Sequence, residues 1–314
     1  MSTRRRLAGL LGVLALAAST TSACSDGAAA PDGPLRDLTK PLPVTTGIDY
    51  VALGDSFSAG PLITTMRNDP TGCYRSRDNY PAFLADWLDV ESYTDVTCSG
   101  ATTADLTGTM RLLDGTRTAP QLDALSADTD LVTLGMGGND FGIYESLIRC
   151  QDGASAPCDV GRLEADARKV AGHVRTAVRD IARIAPDADV YVVGYPDILP
   201  TDGTCSAVGA SGADLGSVAA VAGTLNDALR RGAEAGGASY IDMEAVSEGH
   251  DVCAKGKAWV NGPRLRPGVA APFHPKINGM RAVATELFRA VTGDDPDVTE
   301  YAEPDPDATV TNQG

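Results

Sequence analysis

Short runs rich in β-branched and aromatic residues alternate along this chain with longer stretches of helical periodicity, and that alternation constrains the fold most. Runs of the first kind fall near residues 48–53, 93–97, 131–134, 190–193 and 240–241. The clearest helical pattern covers residues 163–184, where Val170, Val174, Val178 and Ile181 repeat at three- and four-residue spacing. Pro186 helps to end it. A shorter helix is expected to start near Tyr80, because Pro81 suits a first helical turn. Two more are expected over residues 215–234 and 276–291. Strands that alternate with helices build a parallel sheet covered on both faces. In such sheets, sites form beyond the carboxyl ends of the strands.

The bulk numbers narrow the function classes. A hydrophobic fraction of 43% in 314 residues is enough for a sizeable core. The formal net charge of −16 argues against nucleic acid as a partner, because phosphate binding needs clustered Lys and Arg. No internal repeat, dinucleotide fingerprint or Walker A pattern is found. The G-x-S-x-G elbow of α/β-hydrolases is missing too.

The segments that follow the strands carry the chemistry. After the first comes Gly54-Asp55-Ser56-Phe57-Ser58, after the second Ser99-Gly100-Ala101, and after the third Gly137-Gly138-Asn139-Asp140. Phe273-His274-Pro275 stands just before the last helix. All four can converge on one rim of the sheet. Each residue alone has a plainer reading: Ser56 and Gly100 as turn residues, Asn139 and His274 as caps. Taken together and in order, they resemble the SGNH, or GDSL-type, hydrolases over roughly residues 48–291; an export signal at the start, six cysteines besides Cys24 and the Gly249-His250-Asp251-Val252-Cys253 stretch resemble more narrowly the actinobacterial secreted lipase and esterase branch. The resemblance implies a flavodoxin-like three-layer α/β/α sandwich with a parallel sheet of about five strands. It implies Ser56 as nucleophile and His274 as general base, with an oxyanion hole from the Ser56 and Gly100 N–H groups and the Asn139 amide.

Acyl transfer asks for these residue types. A serine hydroxyl attacks only when a base takes its proton, and neutral histidine suits that task near pH 7. The tetrahedral intermediate needs preorganised donors. A glycine lets the backbone approach closely, and an Asn offers an NH₂ that an Asp lacks. One position departs from the family, which usually has Asp three residues before the histidine; here Ala271 stands there. The main-chain carbonyl of Ala271 is therefore expected to orient His274. Asp242, Glu244 and Asp251 are the competing acids. His173, mid-helix, is expected to be exposed or structural, and His250, in a disulfide-bearing loop, is not expected to be catalytic.

The chain begins like an export signal, with Arg4-Arg5-Arg6 ahead of an apolar run over residues 7–18. Thr21-Ser22-Ala23 before Cys24 resembles a bacterial lipoprotein site, although Thr21 replaces the usual Leu. The expected organisation is a signal peptide over 1–23, a linker over 24–46 after a lipid-bearing Cys24, a hydrolase domain over 47–292 and an acidic Pro-rich tail over 293–314. The alternative is an ordinary signal peptide. The expected location is extracellular, on the outer face of the membrane. Six further cysteines form an even set in an oxidising compartment. Neighbours in sequence suggest Cys73–Cys98, Cys150–Cys158 and Cys205–Cys253. No C-x-x-C pair occurs and only three His exist, so no metal or other cofactor is expected. The expected partner is an ester or lipid substrate, bound by a monomer. The competing class is a non-catalytic lipid- or glycan-binding lipoprotein on the same fold.

Overall fold

The computed structural model describes residues 47–151, 158–201, 205–208 and 215–298. The expected signal peptide, the linker with Cys24 and most of the expected acidic tail lie outside them. Five strands form one sheet: β1 (Asp49–Gly54), β2 (Ser92–Asp95), β3 (Leu131–Gly135), β4 (Asp189–Val193) and β5 (Ser239–Ile241), in the order β2-β1-β3-β4-β5. Every neighbouring pair is parallel; Tyr50 sits between Tyr93 and Leu131, and Val132 opposite Val190. The helices are α1 (Ser56–Ala59), α2 (Tyr80–Trp87), α3 (Ile143–Gln151), α4 (Val160–Ile184), α5 (Leu215–Gly236), α6 (Met243–Val246) and α7 (Ile277–Thr292).

Side chains of a strand alternate faces, and the two halves of the core follow that alternation. Val51, Leu53, Val132, Leu134 and Val192 pack with Val170, Val174 and Val178 of α4 and Leu225 and Leu229 of α5. Tyr50, Ala52, Leu131, Tyr191 and Val193 pack on the other face with Leu84 of α2 and Met280 and Leu287 of α7. The result is a three-layer α/β/α sandwich. Helices α4 and α5 approach closely because Gly232 and Gly236 face Val174 and Val178. A Cβ at Gly236 would lie 2.6 Å from that of Val178.

The second strand stops at Asp95, short of the expected residue 97. Asp95 is buried, and its carboxylate takes the N–H of Thr97 at 3.0 Å and the Thr97 hydroxyl at 2.7 Å. It also takes the Asn79 amide at 2.8 Å. Helix α3 was not expected. It is tied at its end by Cys150–Cys158, beside the pairs Cys73–Cys98 and Cys205–Cys253. These are the three pairings suggested by sequence order.

Candidate active site

The strand order reverses at β1, which lies between β2 and β3, so the crevice opens beyond its carboxyl end. There Asp55 caps α1: its carboxylate accepts the Phe57 N–H at 2.8 Å, and its own N–H donates to Gly135 O at 2.9 Å. The cap places Ser56 in the first turn, 8% exposed. His274, 218 residues away, brings Nε2 to 2.8 Å from Ser56 Oγ.

Nδ1 of His274 lies 2.7 Å from the carbonyl oxygen of Pro272. This corrects the expectation for Ala271. Phe273 adopts φ 59°, and the tight turn it makes presents the carbonyl two residues back. The Ala271 carbonyl is engaged elsewhere, accepting the N–H of His274 at 3.2 Å and the Asn261 amide at 3.2 Å. With Nδ1–H donating to Pro272, Nε2 is left as the acceptor for the Ser56 hydroxyl. Burial lowers the pKa of His274 below its ordinary 6.5, partly offset by the Pro272 bond, so the imidazole is neutral at pH 7. Asp242, Glu244 and Asp251 are occupied away from it: they accept from Ala245 N, Asn226 Nδ2 and Cys253 N. His173 pairs with Asp140 at 2.7 Å from mid-α4, and His250 stacks on Trp259 at 3.9 Å.

Gly100 and Asn139 line the same cavity as Ser56 and His274. Gly100 turns at φ 87°, a conformation that favours glycine. The main-chain N–H groups of Ser56 and Gly100 have no acceptor among the described residues. Asn139 donates one amide hydrogen to Ala101 O at 3.0 Å and keeps a second. The loops bearing them are joined by Asp140, which is buried and accepts the Thr103 N–H at 2.8 Å and hydroxyl at 2.5 Å.

Sequence reasoning missed Tyr195. Its hydroxyl donates to Asp55 Oδ2 at 2.5 Å and accepts the Gly138 N–H at 2.7 Å, bridging the Ser56 turn to the Asn139 loop. Its ring meets Phe57 edge-on at 5.0 Å and Tyr144 at 4.9 Å. Its only signal was its place just beyond the carboxyl end of β4. Burial pushes Asp55 up to about 7, against the pull of the Tyr195 and Phe57 bonds.

The cavity measures about 780 Å³ and is walled by apolar side chains, among them Pro61, Met110, Leu147, Ile148, Leu199 and Val218. Two acids line it: Glu145, which pairs with Arg149 at 3.0 Å, and the half-buried Asp197, which burial and then Glu244 push up to about 6. Among the described residues, no group of three or more His, Cys, Asp or Glu is placed to hold a metal ion.

Residues 52–282 match the GDSL-like lipase/acylhydrolase family. Lipase 2 of Streptomyces coelicolor is 37% identical over 261 residues, which span 78% of this chain and 86% of that protein. Phospholipase A1 from Streptomyces albidoflavus superposes with a TM-score of 0.65 at 28% identity, over 78% of this chain and 98% of that one. The extracellular lipase from Streptomyces rimosus does so with a TM-score of 0.65 at 27% identity, over the same 78% and 98%.

Proposed function

The chain belongs to the GDSL-like lipase/acylhydrolase family, and on that premise we propose that it is an exported carboxylic ester hydrolase acting on lipid esters through an acyl-Ser56 intermediate. The observation that carries the mechanism is the 2.8 Å contact between Ser56 Oγ and His274 Nε2 at the wall of an apolar cavity.

In this reading the Ser56 proton passes to His274 Nε2 as Oγ attacks the ester carbonyl carbon. The resulting oxyanion takes hydrogen bonds from the N–H groups of Ser56 and Gly100 and the free amide hydrogen of Asn139. Collapse breaks the bond to the alcohol, which leaves with the proton from His274. Water, deprotonated by the same nitrogen, then releases the acid and restores Ser56. The apolar wall supports a fatty acyl chain as the acid part. The likeness to a phospholipase A1 and an extracellular lipase supports a lipid ester and export. The Arg4-Arg5-Arg6 signal and Cys24 support a lipid anchor on the outer face of the membrane.

A fluorophosphonate probe tests the reading. It is expected to label Ser56 and abolish ester turnover, and Ser56→Ala is expected to lower kcat by about 10⁴-fold or more. A labelled peptide containing a different serine, with Ser56→Ala still active, would overturn it.

A further inference from the structure

Acidic residues outnumber basic ones 42 to 26 in this chain, but the mouth of the cavity departs from that balance. Two loops border it. The first is a hairpin in which Leu112 N–H donates to Thr116 O at 2.9 Å and Thr118 N–H to Met110 O at 3.0 Å. Its tip presents Leu113, 92% exposed, between the exposed Arg111 and Arg117. The second presents Leu265, 64% exposed, between the exposed Arg264 and Arg266. Both leucines face the same cavity as Ser56 and His274.

These loops are held, not loose. Asn261 is buried and its amide donates to the carbonyls of Arg264 at 3.0 Å and Ala270 at 2.9 Å, closing the second loop at its base. In the hairpin, Leu112 sits against Gly72, where a Cβ would lie 3.0 Å from it, beside the Cys73–Cys98 bridge. None of the four arginines pairs with a carboxylate among the described residues; Arg117 donates to Thr109 Oγ1. The nearby acids are engaged or recessed. Asp114 caps the hairpin by accepting from Thr116, Glu145 pairs with Arg149 at 3.0 Å, and Asp197 is half-buried.

One exposed leucine needs no explanation. Two of them on separate fixed loops, each bracketed by unpaired arginines at the mouth of an apolar cavity, are not required by the packing of the fold. We propose that Leu113 and Leu265, with Arg111, Arg117, Arg264 and Arg266, form a rim that seats the cavity mouth on an anionic lipid surface. The leucines enter the apolar layer under the headgroups, and the guanidinium groups bind phosphate oxygens in pairs of hydrogen bonds. Charge complementarity singles out this occupant: a net charge of −16 keeps the rest of the molecule off an anionic surface, so the rim dictates which face touches it. The proposal rests on the ester hydrolase reading in one respect, that the surface also holds the substrate.

The test uses the full chain with Cys24→Ser, so that no acyl group at residue 24 adds to binding, and Ser56→Ala, so that the lipid is not cleaved. Co-sedimentation at low salt compares vesicles of phosphatidylglycerol with vesicles of phosphatidylcholine. Binding is expected to favour phosphatidylglycerol and to weaken with added salt. An arginine near such a surface contributes about fivefold in partition, so Arg117→Gln with Arg264→Gln and Arg266→Gln is expected to lower that binding by at least about tenfold. Leu113→Ser with Leu265→Ser is expected to lower it by a similar factor. With Ser56 intact, the three-arginine variant is expected to keep its turnover of a water-soluble short-chain ester within about threefold, since none of those three lines the cavity. Equal binding to both vesicles, or binding that neither variant set weakens, overturns the rim. Rim-dependent binding in a chain that turns over no ester supports the rim and overturns the hydrolase reading instead.

Discussion

Tyr195→Phe isolates one hydroxyl that the geometry makes responsible for two loops at once. The ring packing against Phe57 and Tyr144 is kept, so the cost is confined to hydrogen bonds. Two are lost: the donation to Asp55 at 2.5 Å and the acceptance from Gly138 N–H at 2.7 Å, both buried. Orphaning the Gly138 donor costs about 1–3 kcal/mol, and losing a bond to an ionised carboxylate about 1.5–3 kcal/mol. At pH 8 the sum is about 2.5–6 kcal/mol. Burial raises Asp55 to about 7 in the fold, from 3.8. The folded protein therefore holds this proton where the unfolded chain has released it, and stability falls as pH rises through 7. The Tyr195 bond limits that fall by favouring the anion, so its removal costs about 1–1.5 kcal/mol more at pH 8 than at pH 5, where Asp55 is protonated and the bond lost is a neutral one. Urea unfolding at both pH values, with disulfides intact, measures this. A cost below about 1 kcal/mol at pH 8, or one equal at the two pH values, refutes the bridging role.

Two further outcomes are expected. Asn139→Ala is expected to lower kcat by about 10²–10³-fold with KM little changed, because in the proposed mechanism the amide acts on charge that develops only in the transition state; steady-state kinetics on a soluble ester would show a KM effect instead if Asn139 merely binds the ground state. Since burial lowers the pKa of His274 below 6.5, kcat/KM is expected to rise with pH and reach half its plateau below 6.5. Asp197, raised to about 6 in the same cavity, is the competing titrant, and a midpoint that moves away in Asp197→Asn would reassign the limb to it.

The fold was legible because strand and helix signals alternate at all five strands and along α2, α4, α5 and α7. Val170, Val174, Val178 and Ile181 all face the sheet from α4, and Val51 with Leu53 and Tyr50 with Ala52 divide between the two faces of β1. Ser56, Gly100, Asn139 and His274 could be expected together because each follows a strand end or precedes the last helix. What escaped depends on dihedral angles and distant contacts that no periodicity encodes. Pro272 takes the place expected for Ala271 through the positive φ of a non-glycine residue, Phe273. Tyr195 reaches Asp55 across 140 residues of sequence. Helix α3 follows the Gly138-Asn139 turn with too few residues, Ile143–Gln151, for its period to stand out, yet Tyr144, Leu147 and Ile148 wall the cavity.

The neutral partner of His274 fits the rest of this site. A carboxylate at position 271 would stabilise the imidazolium that forms when Ser56 attacks. It would also add an anion to a site that already holds the buried Asp55 and Asp140, and Asp140 is one of the causes that raise Asp55. Buried like charges raise each other's pKa, so part of the gain would be lost to protonation. A carbonyl avoids that repulsion. It fixes the tautomer through Nδ1 and asks for no counter-charge in the resting enzyme, where burial already keeps the imidazole neutral. Its weakness is a smaller pull on the transient cation. The surrounding loop compensates by rigidity: Asn261 donates to Ala270 and Ala271, and its N–H donates to His274 O at 2.8 Å. A dipole held in place before the reaction pays no reorganisation as charge develops. On the proposed mechanism, the fixed Pro272 carbonyl and the donors of Ser56, Gly100 and Asn139 together suit proton transfer beside an apolar cavity.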